Sequence, residues 1–233
     1  MLKPSRDRKT AVHISVPNAF GIPAGISCPG ATNFCSRVCY AKKQERMPYL
    51  KSLRTLLTDN YNALKDASSD EMYLMLDTLI EQFVTQSNRR SIDKKFRIHW
   101  DGDFFSYEYA VAWARVIHKY PDVIFWAYTR SFDYVPALKG LDNLTLYLSV
   151  DENNKQQAIK CYRNNPWVKI AALADTFEQA TGIMKLFDNR PGAKCPEQTG
   201  QLELIDENKQ GACIRCDICV KGKANVRFAT KRR

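Results

Sequence analysis

Histidine is scarce in this chain. Only His13, His99 and His118 occur in 233 residues, with no shared spacing, so nothing supports an imidazole metal site. Long apolar runs are missing too: no stretch of eighteen hydrophobic residues is present, which excludes a membrane-spanning helix. A secretory leader is not expected, because the basic start MLKPSRDRKT runs into VHISVPNAFGIPAGI, where His13, Asn18 and two prolines interrupt the apolar core a leader needs. No internal repeat or low-complexity segment is found, and acidic residues fall short of basic ones, 25 against 35. These absences leave an ordinary globular chain, expected in the cytosol and long enough to bury a sizeable core.

What the chain does hold is cysteine, eight in all, seven of them in two groups with ligand-like spacing. In a reducing compartment such grouping points to metal ligation or catalysis over disulfides. The eighth, Cys161, lies in the helical stretch KQQAIKCYRNN and reads as a small buried hydrophobe. The net charge of +10 gathers at the ends: residues 1–10 contribute +3 and residues 220–233 contribute +6, leaving +1 for the body. Basic termini of this kind suit contact with nucleic acid, but a charge run is more often a solvated, solubilising tail, and no base-reading module accompanies them.

The hydrophobic pattern divides the chain. Between 49 and 90, Leu53, Leu56, Leu57, Tyr61 and Leu64, then Met72, Met75, Leu76, Leu79 and Phe83, recur at helical intervals, predicting two helices with DASSDE as the turn and N-cap between them. Beyond, KFRIHWD (95–101), DVIFWAYT (122–129), LTLYLSV (144–150) and VKIAALA (168–174) read as strands, separated by helices near 106–119, 152–164 and 176–188. Alternation of this kind predicts βαβ units and a parallel sheet, with TAVHISV (10–16) as its first strand.

In the second strand Phe96, Ile98 and Trp100 fall on one face and Arg97, His99 and Asp101 on the other. In the fourth, Leu144, Leu146 and Leu148 oppose Thr145, Tyr147, Ser149 and Asp151. A parallel sheet covered on both sides reads apolar throughout, so the polar face is expected to line a lumen or cleft. The fold class expected is α/β, a partial (open) β/α barrel over residues 1–190, with a cysteine-rich extension and basic tail over 191–233. Tyr107, Tyr109, Trp113 and Trp126 are expected in the core or in helix packing, and His99 as a hydrogen-bonded interior histidine.

Residues 28–41 read CPGATNFCSRVCYA, with Cys28, Cys35 and Cys39 in a compact group of three. Structural zinc takes four protein ligands, so three suggest a centre with one position left open. In a cubic four-iron, four-sulfur (4Fe-4S) cluster held by three thiolates, the fourth iron is free to bind a ligand. The second group, Cys195, Cys213, Cys216 and Cys219, forms Cx17CxxCxxC; four thiolates close a site, and the CxxCxxC run favours a ferredoxin-like 4Fe-4S cluster over zinc.

The first loop resembles that of radical S-adenosylmethionine (SAM) enzymes, where three cysteines follow the first barrel strand. The usual spacing there is CxxxCxxC with an aromatic residue before the last cysteine; here it is Cx6Cx3C, with Val38 in that place and Tyr40 just after. CPGATNFCSRVCYA, IHWDGDFFSYEYAVAWARVIHKYP, YTRS, LSVD and the cysteine-rich C-terminus together resemble the phage-encoded, radical-SAM-like "gene product 88" family, over nearly the whole chain. That resemblance implies a cluster-binding partial barrel in a bacterial host's cytoplasm, with SAM and two 4Fe-4S clusters as cofactors and a flavodoxin or ferredoxin as reductant.

It also places SAM contacts at Asp101, Gly102 and Asp103, Thr129 and Arg130, Ser149 and Asp151, and Tyr40. Read from the residues alone, Asp101-Gly102-Asp103 is equally a strand-to-helix turn in which Asp103 or Ser106 caps the next helix. Arg130 can neutralise a carboxylate by a bidentate contact. The function expected is a radical SAM enzyme. The alternatives are a non-catalytic nucleic-acid- or protein-binding module with structural or redox-sensing clusters, and an open iron acting as a Lewis acid or holding another small ligand.

Overall fold

The computed structural model describes residues 1–230. Strands β1 (Ala19–Gly21), β2 (Lys95–Asp101), β3 (Ile124–Thr129), β4 (Leu144–Val150) and β5 (Lys169–Ala174) lie side by side in chain order and run parallel. Two short strands from the C-terminal region extend the sheet: β7 (Val226–Ala229) pairs with β5, and β6 (Ala193–Lys194) pairs with β7 at the far edge. The cysteine-rich extension is thus built into the seven-stranded sheet. The order β1-β2-β3-β4-β5-β7-β6 leaves β1 and β6 as unjoined edges, so the sheet is open.

Sequential order with right-handed crossovers places the connecting helices on one face, and the core shows this. Leu76, Leu79 and Phe83 of α4 (Ser69–Arg89), Trp113 and Val116 of α5 (Tyr107–Lys119), Ala158 of α6 (Lys155–Asn164) and Ile183 of α7 (Phe177–Met184) pack with Phe96, Ile98, Phe125, Leu146 and Ile170 in one buried cluster. Burial of each such large side chain contributes about 1.5–3 kcal/mol. The helix starts are locally specified: Ser68 with Glu71 and Thr176 with Gln179 form capping boxes, and Ser106 caps α5. The periodic stretch before α4 forms α3 (Lys51–Leu64), as expected.

The opposite face, expected to line a lumen, is filled. The N-terminal segment and the C-terminal extension cover it: Val12, Trp126, Ile214 and Val220 form one cluster, and Tyr147, Ala171, Val226, Cys195 and Cys219 another. The Tyr147 hydroxyl donates to the carbonyls of Ile218 and Ala224 at 3.3 and 2.8 Å, stitching β4 to the extension.

Three sequence expectations are corrected. The first strand is Ala19–Gly21, not 10–16; the earlier segment is a 3-10 turn ending at Thr10 followed by bends, with Ile14 52% exposed. Its β-branched residues do not alternate across a sheet: Val12 packs beneath the extension and Val16 on the helical side. The faces of β2 swap at their end. Pairing with β3 stops at Ile98, and His99 takes φ 55°, turning its ring towards the helices and sending Trp100 to the other side against Ala19 and Leu57. Tyr107 is half-exposed, at 50%, whereas Tyr109, Trp113 and Trp126 are buried as expected.

Candidate functional site

The loop after β1 carries the first three cysteines. Thr32 caps the short helix α1 (Asn33–Val38) by accepting from the Cys35 amide at 2.9 Å, and Cys39 caps α2 (Tyr40–Glu45), its sulfur accepting from the Lys42 amide at 3.4 Å. The loop is fastened to the sheet at two points. Thr32 donates to Asp151 at 2.7 Å, and the Phe34 amide donates to Asn153 at 3.0 Å. Gly30 lies so close to β3 that a Cβ there would stand 2.0 Å from the Arg130 carbonyl oxygen.

Residues at the carboxyl ends of β2, β3 and β4 converge beneath this loop. Asp103, fully buried among its partners, accepts from the Thr129 hydroxyl (2.7 Å), the Arg130 amide (2.8 Å) and the Phe104 amide (2.7 Å). Arg130 reaches across to Asp151 at 3.0 Å, and Asp151 is entirely buried. Cys28 and Cys35 feel this network. Burial pushes the Cys28 thiol up to about 12, with Asp103 adding to the rise. Burial also raises Cys35, while the Arg130 cation works the other way.

Of the expected SAM contacts, Asp103, Thr129, Arg130 and Asp151 therefore form one network beside the thiols. The Ser149 hydroxyl takes no part in it; Ser149 instead presents its carbonyl to the Asn154 side chain at 3.0 Å. It is Ser106 that caps α5, as one of the two options held.

Asp101 and Tyr40 stand on the inner side. Asp101 is 2% exposed, and among the described residues no well-aligned hydrogen bond reaches its carboxylate oxygens, though the Gly102 amide lies close enough to favour the charged form. Its neighbour is the Glu45 carboxyl, which accepts from the Ala24 amide at 2.7 Å, so a shared proton is the hydrogen bond open to the pair. Burial first, and Glu45 second, raise Asp101 to about 8. Gly102 holds φ 80° in the turn that follows, and a Cβ there would strike Ile22 at 2.5 Å.

Tyr40 is 51% exposed as a residue, but its hydroxyl is tucked in, donating to the Trp100 carbonyl and accepting from Arg97 at 3.4 Å. That burial pushes the Tyr40 phenol up to about 12. Arg97 pairs with Asp7 at 2.7 Å and stacks over Tyr128 at 5.6 Å. Burial opposes its charge; Tyr40, Asp7, Tyr128 and Cys213 outweigh that and hold it protonated. Arg97 thus lies between Tyr40, next to Cys39, and Cys213 of the second group.

Cys195, Cys213, Cys216 and Cys219 line one small cavity of about 40 Å³ together with Tyr128, Ile218, Val226 and Phe228. Burial pushes Cys213 and Cys219 up to about 12 and also raises Cys195. All eight cysteines are free thiols, and Cys161 is 8% exposed, in keeping with a packing role. Among the described residues, no group of three or more histidine, cysteine, aspartate or glutamate side chains is drawn together tightly enough to hold a single metal ion. A four-iron cube binds each thiolate through a different iron, so its ligands stand farther apart than those of one ion. The all-sulfur donor sets suit such a cube and not a hard, oxygen-seeking cation.

His99 is an interior histidine: its Nε2 pairs with the Tyr109 hydroxyl at 2.9 Å, and burial lowers it to about 3, so it is neutral. Thr32, Glu45, Asn153 and Asp7 were not foreseen as site residues. Thr32, three positions before Cys35, carried a signal, an N-cap residue type before a helix; Glu45 and Asp7 are joined to the site by contacts distant in sequence, and Asn153 both by such a contact and by its amide's bond to nearby Asp151.

No helix among the described residues is long and apolar enough to cross a membrane. No solved structure matches the chain. The family model described as Gene product 88 matches residues 2–222. The "Gene 88 protein" of Mycobacterium phage L5 is 39% identical over 246 aligned positions, covering 100% of this chain and 99% of the relative. That of Mycobacterium phage D29 is 37% identical over 248 positions, with the same coverage of both chains. With a family model and two full-length relatives in agreement, this chain belongs to the Gene product 88 family of phage proteins.

Proposed function

We propose that this protein is a radical-SAM-like iron–sulfur enzyme, in which Cys28, Cys35 and Cys39 hold a 4Fe-4S cluster with one iron open and SAM lies against it at the carboxyl ends of β2 to β4. The observation that carries this reading is the meeting of the three-cysteine loop with Asp103, Arg130 and Asp151 at the ends of parallel strands, where open α/β sheets build their ligand sites. A bound cluster of that kind supplies the electron that reductive cleavage of SAM consumes.

The chain's own residues supply recognition. Arg130 spends one nitrogen on Asp151, while its buried Nε has no partner among the described residues, leaving a donor for a carboxylate. Asp101, once the proton it shares with Glu45 is given up, offers a carboxylate to an ammonium group. Two such groups at neighbouring strand ends fit the amino-acid moiety of SAM. Gly102, at φ 80° and packed against Ile22 and Ser27, shapes the turn that carries Asp101 and Asp103 to the strand end. Cys195, Cys213, Cys216 and Cys219 hold an auxiliary cluster in an apolar cavity, fed by a flavodoxin or ferredoxin, and Arg97 places a fixed positive charge between the two groups.

Protein purified without oxygen tests this reading by iron and sulfide analysis, by electron paramagnetic resonance with and without SAM, and by assay for 5′-deoxyadenosine under reduction. Iron with equal sulfide, a spectrum perturbed by SAM and release of the nucleoside are expected. A preparation containing only zinc, or one whose spectrum ignores SAM, overturns it. One observation favours a second reading, a non-catalytic module that binds nucleic acid: the basic surface of α2 and α3.

A further inference from the structure

We infer that the surface formed by α2, the turn at 46–50 and the first turn of α3 binds single-stranded nucleic acid, through phosphate contacts and a stacking tyrosine, beside the three-cysteine loop. Lys42, Lys43, Arg46, Lys51 and Arg54 fall within thirteen residues, and among the described residues none has an ion-pair partner. The acid among them, Glu45, is turned inward to the Ala24 amide and Asp101. On α5, by contrast, Arg115 and Lys119 are matched by Asp70 and Asp77 of α4. Lys3 adds to the patch: it shares a shallow depression with Lys51, Ser52 and Thr55. In that depression an acid intrudes, Asp59, at 4.0 Å from Lys3.

The charge of this surface does not come from a loose terminal arm. Leu2 and Ser5 are buried, Lys9 pairs with Glu197, and Lys221 and Lys223 pair with Asp217, so much of the terminal charge in the described residues is spent within the fold. Residues 231–233, which complete the basic tail, lie outside the described residues. The unpaired cations of α2 and α3 therefore present a clearer polyanion surface than the termini do.

Two aromatic rings select the kind of polyanion. Tyr49, between the cations, is 77% exposed, and the anchored hydroxyl of half-exposed Tyr40 holds its ring in a fixed place. Aromatic faces set among cations are how single strands are held, because unpaired bases stack on them. An anionic bilayer would call for an aliphatic face, but Leu53, Leu56 and Leu57 of α3 pack inward against Ala19 and Trp100. A duplex offers no unstacked base to Tyr49.

The test is fluorescence anisotropy on the full chain, prepared without oxygen, with labelled single-stranded DNA and RNA of about fifteen nucleotides, a duplex of the same length, and anionic vesicles. Single strands of either sugar should bind, with log affinity falling against log salt at a slope near −3 if four or five phosphates are neutralised at about 0.7 each. The variant K43E/R46E/K51E/R54E should lose at least roughly a hundredfold in affinity, and Y49A roughly tenfold with its salt slope unchanged. Should the fourfold variant fail to fold, K43Q/R46Q must still flatten the slope by about 1.4.

Unchanged affinity in these variants, a preference for duplex, or binding to vesicles alone overturns the inference. None of these measurements requires SAM, so a negative result here leaves the enzymatic reading standing, and failure of SAM turnover leaves this surface standing.

Discussion

The Thr32 hydroxyl donates to the Asp151 carboxylate at 2.7 Å, joining residues 119 apart in the chain. The same Thr32 oxygen accepts from the Cys35 amide, and the same carboxylate oxygen accepts from Arg130. One short chain of contacts thus ties the cysteine loop to the ends of β3 and β4. Asp151 at its centre is fully buried and the other members partly so, a setting in which hydrogen bonds are strengthened and unpaired groups costly.

Thr32→Val removes both the cap and the tie. The expected loss is about 1–2 kcal/mol, read as a lower denaturant midpoint with an unchanged slope. Asp151→Ala is expected to cost more, about 3–5 kcal/mol, because it strands the Arg130 guanidinium, whose side chain is only 11% exposed. Equal losses in the two variants would refute this ranking.

Gly30→Ala sets the loop against the sheet. With the Arg130 carbonyl 2.0 Å from the new methyl group and both strands of contact made of backbone, the loop must lift away. The expected outcome is a folded protein with weakened iron retention after gel filtration. An alanine variant that keeps its iron as firmly as the parent counts against the close loop–strand contact.

Asp101 and His99 set a pH dependence of stability with opposite signs. Asp101 rises from 3.8 to about 8 in the folded state, so its contribution is complete below pH 3.8 and is lost as pH rises through 8. His99 falls from 6.5 to about 3, so its contribution is present above pH 6.5 and is lost on acidification through 3. Each changes by at most about 1.36 kcal/mol per pH unit. The two slopes offset one another between 3.8 and 6.5, leaving a net decline from pH 6.5 to 8. Asp101→Asn should abolish that decline in urea titrations; a variant whose midpoint still drops over this interval assigns it elsewhere.

The two cysteine groups separate by substitution. Replacing Cys213, Cys216 and Cys219 with serine should remove about half of the iron and sulfide if each group holds one four-iron cube, and leave the SAM-sensitive resonance from the first site. Replacing Cys28, Cys35 and Cys39 should remove that resonance and spare the rest. Loss of all iron from either triple variant would show a single shared centre.

The periodicity of the sequence located α3 to α7 and β2 to β5 closely, since whether a segment repeats every 3.6 or every 2 residues is written in its own side chains. The cysteine spacings likewise marked both thiol groups, and the strand ends marked Asp103, Arg130 and Asp151. What local pattern misled on was β1 and the end of β2. Ala19–Gly21 is too short to show alternation, and a single left-handed residue, His99, reverses the faces that a strict two-residue period assigns.

By itself, then, the sequence determined the alternating parallel α/β design, the helix caps and the grouping of seven cysteines into two clusters along the chain. Only the tertiary structure decided that the cysteine-rich extension completes the sheet and fills its polar face, that Glu45 turns in to Asp101, and that Thr32 finds Asp151. The reason is physical: a helix or a strand satisfies its pattern with near neighbours, whereas a buried polar group takes its partner from whichever distant segment the packing brings within hydrogen-bond reach.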